Sequence, residues 1–457
     1  MTRPASPDGC GAGAILVTNL GARLRRHSIT PAVLSHINLP PSDLPAQCDV
    51  IVVGAGPAGS AAALTLARAG FDVVLVDQQA FPRDKVCGDG LIPDAHHALR
   101  RLGLLDDVLA QAQRAGHVGV IGPRGGRVDV PGTLAVLPRR ELDLILCRGA
   151  AAAGARMFAP LRFVGPLEST GGGVVQVVGA RLRSGDTTHE VRASWLLIAS
   201  GAPPQALQAA GVCERRTPSG VALRGYVRNP ALVGRLTELE VVWHPQMKRG
   251  YGWIFPCPNG VFNIGVGVAH SHAKRRGEAA RGGATMQDVN LRAMFEAFTR
   301  VHPAARELVS GGEWVGELKG APLRCSLEGA QLSRPGLLVT GEAAGSTYAF
   351  TGEGIGKAME TGMLAAQAVI EGPRDAAGES QVRAAYEQRV RELAPRYAVY
   401  ERANAVNDHP WLVDLLVWSA RRSPGRLKRM SGVLEETHFP SSLTSPRAWW
   451  RLLFDRR

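Results

Sequence analysis

The sequence predicts an α/β fold: a nucleotide-binding βαβ unit, a β-rich region inserted into it, and a helical C-terminal part, in one chain of 457 residues. Three observations carry this. Residues 48–77 read CDVIVVGAGPAGSAAALTLARAGFDVVLVD, an apolar run, a glycine-rich turn, an alanine-rich segment and a second apolar run closed by an acid. Residues 157–198 and 221–268 are dominated by short apolar runs split by Gly, Asn and Asp turns. A second glycine-rich stretch, 341–354, feeds another long helical pattern.

In the first stretch residues 50–53 form a short buried strand, and Gly54, Gly56 and Gly59 give G-x-G-x-x-G. Gly54 allows the tight turn, Gly56 a close approach to a pyrophosphate, and Gly59 helix–strand packing. Pro57 and Ala58 open the helix, whose N-terminus offers free N–H groups and partial positive charge to phosphate. Asp77, followed by Gln78, lies 18 residues after Gly59, where an acid meets a ribose hydroxyl. Residues 50–67 are uncharged, as a membrane span would be, but four of these 18 are Gly or Pro and the apolar part before them is too short to cross.

Downstream, residues 92–102 have helical spacing and stop at Gly103; His96 and His97, adjacent and about 100° apart, are expected at the surface and not as a metal pair. A helix begins at Arg139 and ends at Gly154. Strands fill 157–198, with turns at 171–173 and 184–186, and Ala199-Ser200-Gly201 returns the chain to the nucleotide unit. Residues 250–268 read as a hairpin turned by Asn259-Gly260, a type I′ signal. A basic loop is expected at 270–285, a helix at 286–298, a strand at 336–339 and a long helix at 355–370, opened by Gly352-Glu353-Gly354-Ile355. The remainder reads as helices with Pro breaks.

The net charge of +13 allows nucleic acid, an anionic membrane or acidic ligands as partners. No zinc-finger spacing or aromatic-studded basic sheet signature is present, so nucleic acid is not expected. Seven scattered cysteines without a CxxC argue against a disulfide framework and a structural zinc, and no metal is expected. A cytoplasmic protein without a secretory leader is expected.

Several motifs in one order resemble the geranylgeranyl reductase family, FAD-dependent oxidoreductases related to the aromatic-hydroxylase flavoproteins: the G-x-G-x-x-G with its acid, PRDKVCGDGLIP (82–93), the R-x-x-x-D of Arg139 and Asp143, LRGY (223–226), GYGWIFP (250–256), and GEAAG…TGEGI (341–355). The likeness spans about residues 48–372, and Tyr251, Trp253, Phe255 and Pro256 are its sharpest marker. It implies a Rossmann-type FAD-binding fold of the glutathione-reductase/aromatic-hydroxylase kind with an inserted β-sheet substrate domain and C-terminal helices. The expected division is a mobile extension (1–46), an FAD-binding domain (47–212, with a substrate-side segment at about 88–135, and 331–373), a substrate domain (213–330) and a helical region (374–457). Gly54, Gly56, Pro57, Ala58, Gly59, Asp77 and Gln78 would hold the ADP half of FAD, and Arg139 its pyrophosphate or ribityl part. Gly341, Glu342 and Gly345 would meet the pyrophosphate and ribityl segment, and Gly352, Gly354 and Ile355 the flavin's pyrimidine edge. Gly88, Tyr226, Tyr251, Trp253 and Phe255 would contact a prenyl-like substrate. Three positions depart from the family pattern: Glu342 stands for an aspartate, Ser200 for an aspartate, and Pro203-Pro204 for small or polar residues.

The implied activity is reduction of carbon–carbon double bonds in a prenyl or lipid-like chain, by hydride from reduced flavin and a proton from the protein; Cys87, Tyr251 and Tyr348 are the candidate donors. No second dinucleotide site is visible, so NAD(P)H would bind transiently or a redox protein would supply electrons. The same fold serves flavin monooxygenases and halogenases, which share a tryptophan-containing motif and a tunnel-side lysine; here Tyr251, Phe255 and Lys85 followed by Cys87-Gly88 fit the reductases better. A flavin-binding redox partner without turnover is the third reading. The apolar stretch 411–418, the basic residues that follow, and the end PRAWWRLLFDRR suit either an interfacial anchor on anionic lipid, placing the protein at the membrane periphery, or a helical cap over the substrate domain.

Overall fold

Alternate residues of the first strand belong to different layers. Val50 and Val52 pack with helices on one side, Ile51 and Val53 with strands and loops on the other, and all four are buried. A strand covered on both faces needs an unbroken apolar run, which is why this segment does not alternate with polar residues. The protein, described from a computed structural model, covers residues 37–171, 173–247, 249–269, 289–373 and 378–438. The basic loop expected at 270–285, the tail from 439 and most of the N-terminal extension lie outside the described residues. Of that extension, residues 37–44 pack on the sheet: Leu39 N–H donates to Met157 O (2.8 Å), and the Asn38 side chain exchanges two hydrogen bonds with the Phe81 backbone.

The strands are β1 (Gln47–Val53), β2 (Val73–Val76), β3 (Gly90–Leu91), β4 (Gln113–Ile121), β5 (Arg127–Val136), β6 (Arg156–Phe158), β7 (Arg162–Gly171), β8 (Val174–Ser184), β9 (Thr187–Ile198), β10 (Gly220–Arg228), β11 (Leu239–Val242), β12 (Gly250–Pro256), β13 (Val261–Ala269), β14 (Glu313–Leu323), β15 (Ser333–Arg334) and β16 (Leu337–Val339). The first sheet has the order β15-β16-β9-β1-β2-β6, parallel from β16 to β6, with β8 and β7 continuing antiparallel from β9. Val50 pairs with Val73 on one side and Trp195 on the other, so the glycine turn after β1 opens beside the end of β9. The helices Pro57–Arg68, Arg139–Ala152 and Ile355–Glu371 share one face of this sheet.

The second sheet has the order β14-β10-β13-β12-β11-β4-β5-β3. Neighbours run antiparallel except β11 and β4. One face carries Val242, Ile254, Phe262 and Ile264 against the helices Leu291–Val301 and Pro303–Ser310. The other carries Val118, Val120, Val241 and Tyr251, and the helices Trp411–Arg422 and Pro424–Leu434 pack over it. Asn259 and Gly260 both have left-handed φ (62° and 68°) and turn β12 into β13, the I′ geometry expected of that pair.

Three sequence expectations need correction. His96 is buried and only His97 is exposed, because the Pro93–Leu102 helix packs against the Ile355–Glu371 helix and is not a surface element. Of the helix expected at 286–298, residues 286–288 lie outside the described residues and 289–290 are not helical; the helix Leu291–Val301 starts where the Asn290 side chain accepts from Ala293 N–H (3.0 Å). The Glu379–Ala403 helix runs through Pro395 without ending, held by buried Val390, Tyr397 and Tyr400 on either side of it.

Candidate active site

A cavity of about 410 Å³ runs between the two sheets. At one end it meets the turn after β1. A side chain at Gly59 would put its Cβ 1.8 Å from Gly54 O, so only glycine lets the helix cross the strand this closely. Gly56, the N-cap, carries no side chain to cover the helix N-terminus, and its missing Cβ would lie 3.6 Å from Arg139 Nη2 and 3.8 Å from Arg83 Nη2. Two guanidinium groups and free helix N–H groups thus converge on one open spot, an anion cradle.

A buried charge chain fixes those arginines. Asp143 accepts from Arg139 Nε (2.7 Å) and Nη2 (2.8 Å) and from Arg83 Nη1 (3.0 Å). Arg83 reaches on to Asp77 (3.3 Å), which also accepts from the N–H groups of Ala55 and Gln79, each at 3.0 Å. Burial alone would lower the Arg139 guanidinium; the Asp143 carboxylate and further neighbours reverse this and hold it raised, so it stays charged. Asp143 follows Arg139 by one helical turn, which is the physical content of R-x-x-x-D.

The middle of the cavity is built on residues 87–90. Asp89, fully buried with left-handed φ (66°), accepts from Tyr226 Oη (2.5 Å), Asn263 Nδ2 (2.7 Å) and Arg139 N–H (3.2 Å). Burial raises its carboxyl to about 6, against the opposing pull of those partners. Asn263 also donates to Cys87 O (2.8 Å) and accepts from Trp253 Nε1 (2.9 Å). Arg224 lies over the Tyr226 ring (4.1 Å) and donates to Asp84 (2.7 Å) and Lys85 O (3.1 Å). LRGY is therefore a clamp on the PRDKVCGDG loop. The loop rests on Phe255, whose ring is 3.4 Å from where a Gly88 Cβ would stand. Trp253 fits because Gly265 faces it across the hairpin: a Cβ there would stand 2.3 Å from the indole.

Beyond the loop the cavity turns apolar. Trp243, Tyr251, Trp253 and Phe255 form a row with successive ring centroids 5.5–6.4 Å apart. Val118, Val120 and Val130 come from the sheet, and Val413, Leu416 and Met430 from the helices above it. Tyr251 Oη donates to Thr351 O (2.6 Å), tying β12 to the turn before the Ile355–Glu371 helix. Glu353 in that turn lines the cavity, and its carboxyl is pushed up to about 8 by burial, then by the carboxylates of Asp94 and Glu436, against Lys357.

The cavity wall includes Gly54, Gly56, Pro57, Ala58, Asp77, Cys87, Gly88, Arg139, Tyr251, Trp253, Phe255, Glu342, Gly352, Gly354 and Ile355. Ala199, Ser200 and Gly201 join it. The other expected site residues lie elsewhere. Gly59 packs on Gly54; Gln78 is exposed; Gly341 sits against Ala58; and Gly345 turns against the Glu328 backbone. Tyr226 spends its hydroxyl on Asp89 and stands behind the wall, so it contacts the loop and not the cavity. Tyr348 stacks on Tyr400 (3.9 Å) with its hydroxyl on Glu436 (3.3 Å), which takes it away from the cavity. Burial raises the Cys87 thiol, so it is held as a thiol. Sequence reasoning missed Arg83, Asp89, Asn263 and Glu353 as site residues, and it reached the roof only as one of two readings of residues 411–418. Arg83 carried the one available signal, a cation soon after the ribose-side acid.

The open turn, the paired arginines and Asp77 at the end of β2 fit a dinucleotide, and the cavity leads from them to an aromatic-lined chamber. Together they define a flavin-binding oxidoreductase with an aromatic-hydroxylase-like fold. Residues 47–255 match the family described as FAD binding domain. The menaquinone reductase of Mycolicibacterium smegmatis is 36% identical over 342 residues, covering 71% of this chain and 77% of that protein. Digeranylgeranylglycerophospholipid reductase 1 of Methanopyrus kandleri is 29% identical, covering 71% and 81%. Among solved structures, a geranylgeranyl bacteriochlorophyll reductase-like protein from Thermoplasma acidophilum superposes with TM-score 0.70 at 22% identity, covering 90% of this chain and 96% of that one. The myxobacterial chondrochloren halogenase shares the fold at TM-score 0.60 and 23% identity, covering 78% and 82%. The chain belongs to the geranylgeranyl reductase family of FAD-dependent oxidoreductases, and its cofactor is FAD.

Proposed function

We propose that this enzyme reduces carbon–carbon double bonds in the prenyl part of a lipid-like substrate, with electrons from NAD(P)H or a redox protein, at the cytoplasmic periphery of the membrane. The observation that carries the reading is the apolar arm of the cavity, continuous with the cofactor site and walled by aromatic and aliphatic side chains. A prenyl chain needs such a wall and offers no polar group for a charged one. Relatives named as reductases of menaquinone and of digeranylgeranylglycerophospholipid support it.

FAD, when bound, supplies the hydride-transfer chemistry. Arg83, Arg139 and the helix N-terminus would hold its phosphates, Asp77 its ribose, and the turn 352–355 its flavin end. Saturating the double bond also takes one proton. Cys87 and Tyr251 line the cavity as candidate donors, and Glu353 joins them as a carboxyl that is protonated at neutral pH. The aromatic row orients the chain and excludes water.

Mass spectrometry of products tests the reading. Chemically reduced enzyme is incubated without oxygen with polyprenyl quinones and lipids, and a gain of two hydrogens per reduced bond is expected. A product formed only with oxygen, bearing an added oxygen or halogen, would instead assign the monooxygenase or halogenase chemistry of fold neighbours.

A further inference from the structure

The two helices that roof the apolar arm have an outer face with its own chemistry. Trp411–Arg422 turns Val413 and Val417 inward, where they are buried over β4 and β5. Trp411, Leu415, Trp418 and Arg422 recur at helical spacing on another stripe. Trp411 is 59% exposed and Trp418 42%, among the largest exposed apolar side chains of the described residues. Arg422 lies over the Trp418 ring at 4.5 Å. Pro424–Leu434 turns Leu427, Met430 and Leu434 inward and leaves Lys428 and Arg429 exposed. Arg421 is pinned by its bond to Arg127 O (2.8 Å). Asp414, the acid on these two helices, is mostly covered and beside Arg124. No helix among the described residues is long and apolar enough to cross a membrane.

Exposed tryptophans flanked by cations suit the headgroup layer of an anionic bilayer, where an indole sits at the boundary and each Arg or Lys gains from the surface potential. An acidic protein would pair with the cations but would not need two indoles on one stripe. We propose that the outer face of these two helices docks on an anionic lipid bilayer, placing the apolar arm of the cavity one helix beneath the membrane surface. Delivery of a lipid substrate through this roof rests on the reductase reading; the docking itself does not.

Co-sedimentation of the full chain, loaded with FAD, tests it. The probes are vesicles of phosphatidylcholine alone and of phosphatidylcholine mixed with phosphatidylglycerol. The wild type is expected on the mixed vesicles and not on the neutral ones. Trp411→Ser with Trp418→Ser should weaken binding by about tenfold or more. Arg422→Gln, Lys428→Gln and Arg429→Gln should each weaken it by about fivefold, with a shallower salt dependence. The flavin-to-protein absorbance ratio reports whether each variant is folded. Equal binding to both vesicle types overturns the proposal. So does unchanged binding of the variants, which would assign it to residues 439–457. Capture of an acidic ferredoxin without vesicle binding would make the face a protein site and overturns it too. Reduction of a short water-soluble prenyl alcohol is measured in parallel: vesicle binding without reduction would refute the reductase reading and leave the docking face standing.

Discussion

Glu353 occupies an unusual position for a carboxyl. It lines an apolar cavity, and the charged groups around it come from several elements: Asp94 on the Pro93–Leu102 helix, Lys357 on the Ile355–Glu371 helix that follows it, and Glu436 beyond the Pro424–Leu434 helix. The hydroxyls of Tyr251 and Tyr400 also feel its charge. Its carboxyl is raised from 4.5 to about 8, by burial first and then by Asp94 and Glu436. The folded state therefore binds a proton that the unfolded chain has released, and linkage gives the sign. The stability from protonated Glu353 is complete below about 4.5, falls as pH rises, and is lost once pH passes about 8. Glu353→Gln, neutral at every pH, removes this slope. Its melting temperature relative to wild type should climb between pH 5 and pH 8 and level off above. Thermal unfolding across that range checks it, and parallel curves would refute the assignment.

At the scale of elements, the loop of residues 87–90 is held from the β-sheet and not by its own turn chemistry. Asp89 adopts left-handed backbone because Tyr226, Asn263 and the Arg139 N–H all meet its carboxylate. Tyr226→Phe keeps the ring under Arg224 and deletes only the hydroxyl. It should cost about 1.5–3 kcal/mol in urea unfolding, the range for a bond to a charged group. A change below about 0.5 kcal/mol would mean that water replaces the hydroxyl. This scale also separates what could be read in the sequence. The βαβ unit was legible because its constraints are local: apolar runs, glycines at fixed offsets and one acid. The I′ turn at Asn259-Gly260 was legible for the same reason. The clamp was not, since Asp89 and Tyr226 are far apart in sequence and only the sheet brings them together. Nor was the burial of His96, decided by a helix some 260 residues later in the chain.

For the molecule as a whole, one cavity is assembled from both sheets and from the C-terminal helices. Of the two sequence readings of the 411–418 stretch, the structure shows the helical cap, whose inner face packs on the second sheet, while its outer face carries the exposed Trp411 and Trp418. Leu416 projects from the cap into the cavity wall. Leu416→Trp should shorten the usable arm, and cavities discriminate by volume at this scale. KM for long isoprenologues is expected to rise about tenfold or more while that for a short one stays within about twofold. An equal change for both would place Leu416 away from the chain's path.

The parallel pairing of β16 with β9 sets Leu337 beside Leu196, and the cavity roof arrives only with residues 411–434. The glycine turn is made early in this stretch of chain and β9 then pairs with β1 and β8, yet β9 lacks its second parallel neighbour until the chain has passed residue 339. The flavin end waits for the turn at 352–355, and the apolar arm for the last helices. The complete cofactor site thus needs residues about 300 positions downstream of the glycine turn. A chain that lacks residues 411–434 leaves the apolar arm as an open trough, with Val118, Val120 and Val130 uncovered.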